Sequence, residues 1–240
     1  MNLTIDFGNS RIKLAVFFKK KMIHFESNKA LHLSHINSLL NRFSISNSII
    51  SSVVNNTKNV EGLLKKKTDF LKLSSSTKLS IHNFYNTPRT LGMDRVASLT
   101  GAHSLFFKKN ILVISAGTCI TYDVITAEGN YFGGNISPGL DMRLKALNTF
   151  TARLPLVKKQ LTSEIFGKNT SSSILTGVIG GARLEMKGFI TGYKKIYPAL
   201  KVIITGGDAS YFETISGNKI FAVPHLALYG LNQILLQNHA

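Results

Sequence analysis

The residues best suited to chemistry fall in a few short stretches. Near the start, DFGNS carries Asp6, Gly8, Asn9 and Ser10, with Arg11 and Lys13 just behind. A carboxylate, a glycine that lets the backbone approach a ligand, and donors on short tethers are the parts of a loop that receives a metal-bound phosphate. The same residue types are also the commonest turn formers, so an ordinary hairpin turn is the competing reading of this stretch. Further on, GMDR at 92–95 puts Asp94 beside Arg95 at the mouth of a helical pattern. That pair suits a helix cap or an acid–base and anion-binding couple equally well. In SAGTCITYD, Gly117, Thr118 and Thr121 form a second small polar turn.

The elements that must position these groups follow from periodicity. Leu3 and Ile5 alternate with polar neighbours, and Ile12 to Phe17 resumes an apolar run, which predicts strand, turn and returning strand. Set side by side, LTIDFGNSRIKLAVF and LVISAGTCITYDVIT share that plan, so the chain holds two similar hairpins. Each can offer backbone N–H groups and a hydroxyl to phosphate oxygens. Between them the pattern predicts strands at Met22–Phe25, Ser48–Asn55 and Leu79–Phe84, with helices at Leu31–Leu40, Val60–Leu73 and Val96–Phe106. Beyond the second hairpin it predicts a glycine-rich hairpin over Gly129–Leu140, a helix over Arg143–Phe150 and an extended link over Thr151–Val157. Thr170 is placed to cap a helix continuing through Ile190, whose many small residues imply close packing, a second protomer being one candidate. Lys201–Gly207 reads as a strand ending in Gly206 and Gly207, a geometry suited to backbone passing a base or ribose, and Val223–Leu236 as a closing helix.

Composition narrows the class. The chain has 240 residues, with 29 Lys and Arg against 12 acidic residues and a formal charge of +17. The lysines come as small scattered clusters without zinc-finger spacing, a long basic helix or a basic tail, which favours a basic solvated surface over a nucleic-acid partner. The positive field still suits anionic substrates. A single cysteine, Cys119, allows no internal disulfide and points to a reducing, cytoplasmic setting. No apolar run approaches the roughly 20 residues that span a bilayer, and no signal peptide is evident. His24, His32 and His35 lack carboxylate or cysteine partners at ligand spacing and read as surface or packing residues. Cys119 reads as a small buried thiol, and His103 as a helix-surface or dimer-contact residue.

Taken in order, DFGNS, GMDR, SAGTCITYD, YFGGNISPG, TARLP, NTSSSILTG and ITGGD form a series that resembles type III pantothenate kinase, within the superfamily of acetate kinase, the sugar kinases, Hsc70 and actin. The resemblance covers Met1 to about Gly230. It implies an α/β fold of two ribonuclease-H-like, actin-like ATPase domains, with mixed sheets flanked by helices and a cleft between them, divided here as 1–108 and 109–240. It implies a homodimer that phosphorylates pantothenate with ATP and Mg2+ at the first committed step toward coenzyme A. On that resemblance Asp6 organises a divalent metal and the phosphates, and Gly8, Asn9, Ser10 and Lys13 match the first phosphate loop. Gly117, Thr118 and Thr121 match the second, and Gly206 and Gly207 fall at the adenosine side. Asp94 matches the general base and Arg95 the contact to pantothenate. Tyr85, Asn86, Gly92, Met93 and Gly139 match the surrounding substrate pocket, and Thr170 a threonine reaching that pocket across the dimer interface.

One position departs from the family pattern. The second loop of the family usually carries an aspartate where this chain has Ser115, and that carboxylate is associated with a monovalent cation, K+ or NH4+. Ser115 keeps an oxygen and loses a charge, which predicts weak or absent potassium activation. Two other readings stand beside the kinase: a non-catalytic regulatory relative, with nucleic acid as a partner, and a kinase for another small hydroxy acid. Asp6, Lys13, Asp94, Arg95, Gly117 and Thr118 together favour the enzyme, since a binding module has no physical need for all of them.

Overall fold

The computed structural model describes residues 1–54, 56–212 and 219–239. In chain order the first elements are β1 (Asn2–Phe7), β2 (Ile12–Phe18), β3 (Lys21–Asn28), α1 (Leu33–Arg42), β4 (Asn47–Ser52), α2 (Lys58–Lys67), β5 (Asp69–Lys72), β6 (His82–Asn83) and α3 (Met93–Leu105). They continue with β7 (Ile111–Ala116), β8 (Cys119–Ile125), β9 (Asn130–Pro138), α4 (Leu140–Thr149), α5 (Thr170–Leu175), α6 (Gly181–Ile196), β10 (Lys201–Thr205), β11 (Ile220–Ala222) and α7 (Leu226–Asn238).

The alternation of β1 decides how the first unit is layered. Leu3, Ile5 and Phe7 pack with Leu14, Val16, Ile36, Leu39, Val60 and Leu64 on the side of α1 and α2. The opposite face joins Ala15, Phe17 and Ile49 to Ala97 of α3 and to Leu228, Leu231 and Leu235 of α7. Both faces of the strand are covered, so its polar residues Asn2, Thr4 and Asp6 are buried as well. Each must then find a partner or a task. Asn2 finds one in Asn232 of α7, at 2.9 Å. The sheet order is β3-β2-β1-β4-β5, antiparallel on the β2 side of β1 and parallel on the β4 side.

The second sheet has the order β11-β10-β7-β8-β9-β6. Read from β9, the run β9-β8-β7-β10-β11 repeats the order of the first sheet element for element. The hairpin likeness seen in the sequence is therefore a likeness of position: the turn after β7 stands in its sheet where the turn after β1 stands in the other. The core of this unit joins Leu112, Ile114, Ile120 and Tyr122 to Leu140 and Leu144 of α4 and to Val178, Met186 and Ile190 of the long helix.

The chain divides into two compact units, Met1–Lys108 with Ile125–Phe132 and His225–Ala240, and Lys109–Val124 with Gly133–Pro224. A division into 1–108 and 109–240 puts the C-terminal helix with the second unit. α7 belongs with the first because its apolar face seals the α3 side of that sheet, where Gly101 and Gly230 let the two helix backbones approach.

Several element boundaries differ from the sequence reading. The lysine-rich helix ends at Lys67, and Asp69–Lys72 is a strand, because Phe70 and Leu71 pair with Ser48 and Ile49 on the open edge of β4. The strand expected over Leu79–Phe84 is only His82–Asn83, and Gly129–Leu140 is one strand running into α4 rather than a hairpin. β4 ends at Ser52, and Asn55, the last residue of its expected span, lies outside the described residues. The cap before α5 is Asn169, whose side chain accepts the Ser172 N–H in a capping box, and Thr170 is the first helical residue.

Candidate active site

Alternation along β1, β2 and β4 brings the first polar cluster together. Asp6 is the register partner of Lys13 on β2 and of Ser51 on β4, so the three side chains leave the same face of the sheet, the face covered by α3. Asp6 is 7% exposed, and its Oδ1 has no hydrogen-bond partner; neither has the Ser51 hydroxyl. Burial, reinforced by the negative charge of Asp94, pushes the Asp6 carboxyl up from 3.8 to about 6, against the opposing charge of Lys13. Two orphaned buried oxygens and a second carboxylate nearby are a donor set that suits a hard divalent cation. Among the described residues there is no group of three or more His, Cys, Asp and Glu arranged for a metal, so water and substrate oxygens would complete any such shell.

α3 delivers the second cluster. Gly92 is its N-cap, and Asp94 Oδ1 accepts the Arg95 N–H at 2.9 Å. A Cβ on Gly92 would stand 2.5 Å from that same Oδ1, so glycine leaves room for the carboxylate to fold back over the helix start. Asp94 is thus an N-terminal acid as well as a site candidate, and the two readings describe one residue. Arg95 is buried; its Nη2 donates to the Tyr131 hydroxyl at 2.9 Å, and its guanidinium lies 5.9 Å from the centre of the Tyr85 ring. Tyr85 in turn stacks on Tyr131 at 6.1 Å. Arg95, Tyr85 and Tyr131 form a fixed cationic corner suited to a carboxylate.

The first turn itself is tight, with the Gly8 N–H donating to the Arg11 carbonyl at 3.1 Å, and it leaves Asn9 and Ser10 exposed. A cavity of about 310 Å3 opens beside it. That cavity is lined by Phe7, Ile12 and Val60, so it lies on the α2 face, away from the Asp6 carboxylate.

In the second unit, Gly117 closes the turn after β7 by donating to the Cys119 carbonyl at 3.0 Å, and Thr118 is exposed. Gly139 donates to the Thr118 carbonyl at 3.1 Å, and a Cβ there would overlap the carbonyls of Gly117 and Thr118. Gly206, at φ +102°, likewise lies against the Ala116 backbone, a conformation and an approach that only glycine allows. Ser115 is half-buried, opposite Thr205 of β10. Thr121 has an unpartnered buried hydroxyl, and Gly207 is exposed.

Asn86 is exposed and Met93 half-buried at the start of α3. Thr170 is exposed at the start of α5. Among the described residues, a Cβ at Gly177, Gly180, Gly181, Gly188 or Gly192 meets nothing within 4 Å, so the glycines of this helix do not mark close packing within the chain, whereas Ala182 is buried in the core. That helix also carries a π-helical turn at Thr176–Gly180. His103 is buried against Gly129 and Phe107 instead of lying on the surface, Cys119 is half-exposed instead of buried, and His24 and His35 both bind Glu26, at 2.7 and 2.6 Å. Ser51, beside Asp6, and Tyr131, bonded to Arg95, are two candidates absent from the sequence reading. Ser51 was visible only as a hydroxyl in the run SIISS, and Tyr131 only as the first residue of YFGGNISPG, with no role of its own.

Two mixed sheets flanked by helices, with a glycine turn after β1 in one and after β7 in the other, make an α/β fold consistent with actin-like domains. A Campylobacter jejuni structure described as a Baf family transcriptional activator shares the fold, with a TM-score of 0.64, 22% identity and coverage of 99% of this chain and 98% of that one. The model of the type III pantothenate kinase family matches residues 2–192. Type III pantothenate kinases of Phocaeicola vulgatus and Bacteroides fragilis strain YCH46 are 43% and 44% identical, covering 99% and 100% of this chain and 99% of each relative. The chain belongs to the type III pantothenate kinase family.

Proposed function

We propose that this protein transfers the terminal phosphoryl group of ATP to the primary hydroxyl of pantothenate, giving 4'-phosphopantothenate, the first step toward coenzyme A. The observation that carries the reading is the meeting of Asp6, Asp94 and Arg95 at the mouth of α3, in a chain that matches this family over nearly its whole length. Phosphoryl transfer leaves the protein little covalent work: it must cradle the phosphates, offset their charge and align the acceptor. Asp6, with Ser51 beside it, would hold Mg2+, which when bound offsets phosphate charge. Lys13 and the backbone of Gly8, Asn9 and Ser10 bind phosphate oxygens in the first unit. Gly117, Thr118 and Thr121 do so in the second, with Gly206 and Gly207 at the adenosine. Arg95, steadied by Tyr131, holds the carboxylate end of pantothenate, with Tyr85, Asn86, Gly92 and Met93 around it. Asp94 accepts the hydroxyl proton as the new P–O bond forms.

In this reading each unit is a ribonuclease-H-like domain, and the working species is a homodimer in which Thr170 reaches the partner's substrate. The open glycine face of α6 and the exposed Leu184 and Ile196 support a protein partner on that helix. No described helix is long and apolar enough to cross a membrane. Ser115 supplies no charge for a monovalent cation, so potassium activation is weak or absent.

The test is ATP consumption with and without pantothenate, compared with pantothenol, in which an alcohol replaces the carboxylate. Pantothenate-dependent turnover with a strong preference over pantothenol is expected, and Arg95→Gln should erase most of that preference. Equal use of both acceptors would remove Arg95 from the acid end, and absence of pantothenate-dependent turnover would return the field to another acceptor or a regulatory role.

A further inference from the structure

The second turn, Ala116 to Thr118, is gripped from two sides within its own unit. On one side Gly139 donates to the Thr118 carbonyl, and two residues later Asp141 stands in the first turn of α4. On the other side Gly206 packs against Ala116, and two residues later the Asp208 N–H donates to the Ala116 carbonyl at 3.0 Å. The two grips are far apart in sequence. Lys159 joins them: its Nζ donates to Asp141 Oδ2 at 2.6 Å and to Asp208 Oδ1 at 2.7 Å.

Lys159 lies on the stretch 151–169, which has no helix or strand of its own. That stretch is fixed again at Thr162, whose carbonyl accepts from Arg183 of α6 at 2.8 Å, while the Nε of the same arginine donates to the Tyr211 carbonyl. The charges are unequal in exposure. Asp141 is largely in solvent, whereas the Asp208 side chain is 10% exposed and Lys159 is 26% exposed. A buried carboxylate without a counter-charge is costly, and beside an anionic ligand it is also repulsive.

We propose that Lys159 is a positioning residue for the nucleotide: it clasps the two segments that grip the second turn and neutralises Asp208 there. The proposal rests on the reading of Gly117 and Thr118 as a phosphate loop. Without Lys159 the turn loses its brace, and the Asp208 carboxylate meets the nucleotide phosphates uncompensated. Nucleotide affinity then falls while acceptor recognition by Arg95, in the other unit, is untouched.

The test is titration of the full-length protein with a fluorescent ATP analogue, together with KM values for ATP and pantothenate. Lys159→Met should weaken nucleotide binding about tenfold, the scale of one charge-assisted contact, and leave the pantothenate KM within about twofold. Lys159→Arg should restore binding, and Asp208→Asn combined with Lys159→Met should recover much of the loss, because the orphaned charge is gone. Asp141→Asn, at an exposed site that leaves folding intact, should weaken binding about threefold and serves if Lys159→Met unfolds. Thr118→Val separates the premises. If Thr118→Val binds normally, the phosphate-loop reading of the turn fails and the proposal falls with it. If Thr118→Val weakens binding while the Lys159 and Asp141 variants bind as wild type, the clasp is overturned and the loop reading stands.

Discussion

Burial and the Asp94 charge hold the Asp6 carboxyl at about 6, well above its ordinary 3.8, and the sign of that shift has consequences for stability as well as chemistry. The folded state binds this proton more tightly than the unfolded chain does. The charged form therefore costs stability in full above about pH 6, and the cost vanishes below about pH 4. A shift of this size corresponds to about 3 kcal/mol at neutral pH. With metal chelated, Asp6→Asn should melt higher than wild type at pH 8, and the gap should close toward pH 4, while turnover is lost. Melting curves at the two pH values check this; a variant less stable at pH 8 would mean that Asp6 is held by partners rather than strained. Asp94→Asn should lower kcat by about 100-fold or more while ATP binding persists, as expected when a general base is removed. Near-normal turnover in a folded variant would end the base assignment. Gly92→Ala should act through Asp94, lowering kcat with little change in melting temperature, because the added methyl meets only the movable Asp94 carboxylate and the Arg95 side chain.

At the scale of elements, the crossing of α3 and α7 fixes where the Asp94 pair stands. A Cβ on Gly230 would overlap the Ala97 carbonyl of α3, so Gly230→Ala forces the helices apart and should cost about 2–3 kcal/mol in chemical denaturation. Gly62→Ala in α2 is the control: its Cβ meets nothing, and helix propensity predicts a gain of about 0.5–1 kcal/mol. Equal effects at the two sites would contradict the close crossing. The elements also show which parts of the chain were legible. Short apolar runs bounded by polar turns gave the central strands of both sheets almost residue for residue, because strands covered on both faces read as nearly continuous apolar stretches. Asp69–Lys72 was read as helix because Phe70 and Leu71 take their conformation from the free edge of β4, a partner remote in sequence. The N-cap was placed one residue late because Asn169 and Thr170 are both good capping residues, and only the pairing with Ser172 separates them. Ser51 joined Asp6 through parallel register, which no local pattern announces.

For the whole molecule, the repeated strand order of the two sheets explains why two glycine turns recur in one chain, each at the end of its sheet's central strand. The repeat is imperfect where it matters to charge, since Asp6 in the first turn corresponds to Ser115 in the second. Asp141 and Asp208, on the two segments that grip the second turn, are both engaged by Lys159. Turnover should therefore change by less than about twofold when sodium replaces potassium, because a serine in place of an aspartate holds a monovalent cation more weakly. A steep potassium requirement in steady-state assays would show that another group supplies the charge. The central claim is that the cluster of Asp6, Asp94 and Arg95 phosphorylates pantothenate, and the most direct measurement is the mass of the product made from pantothenate and ATP by wild type and by Asp94→Asn. Wild type should give a product one phosphoryl group heavier than pantothenate and the variant almost none; an unmodified acceptor with wild type, or equal product from both, would overturn that assignment.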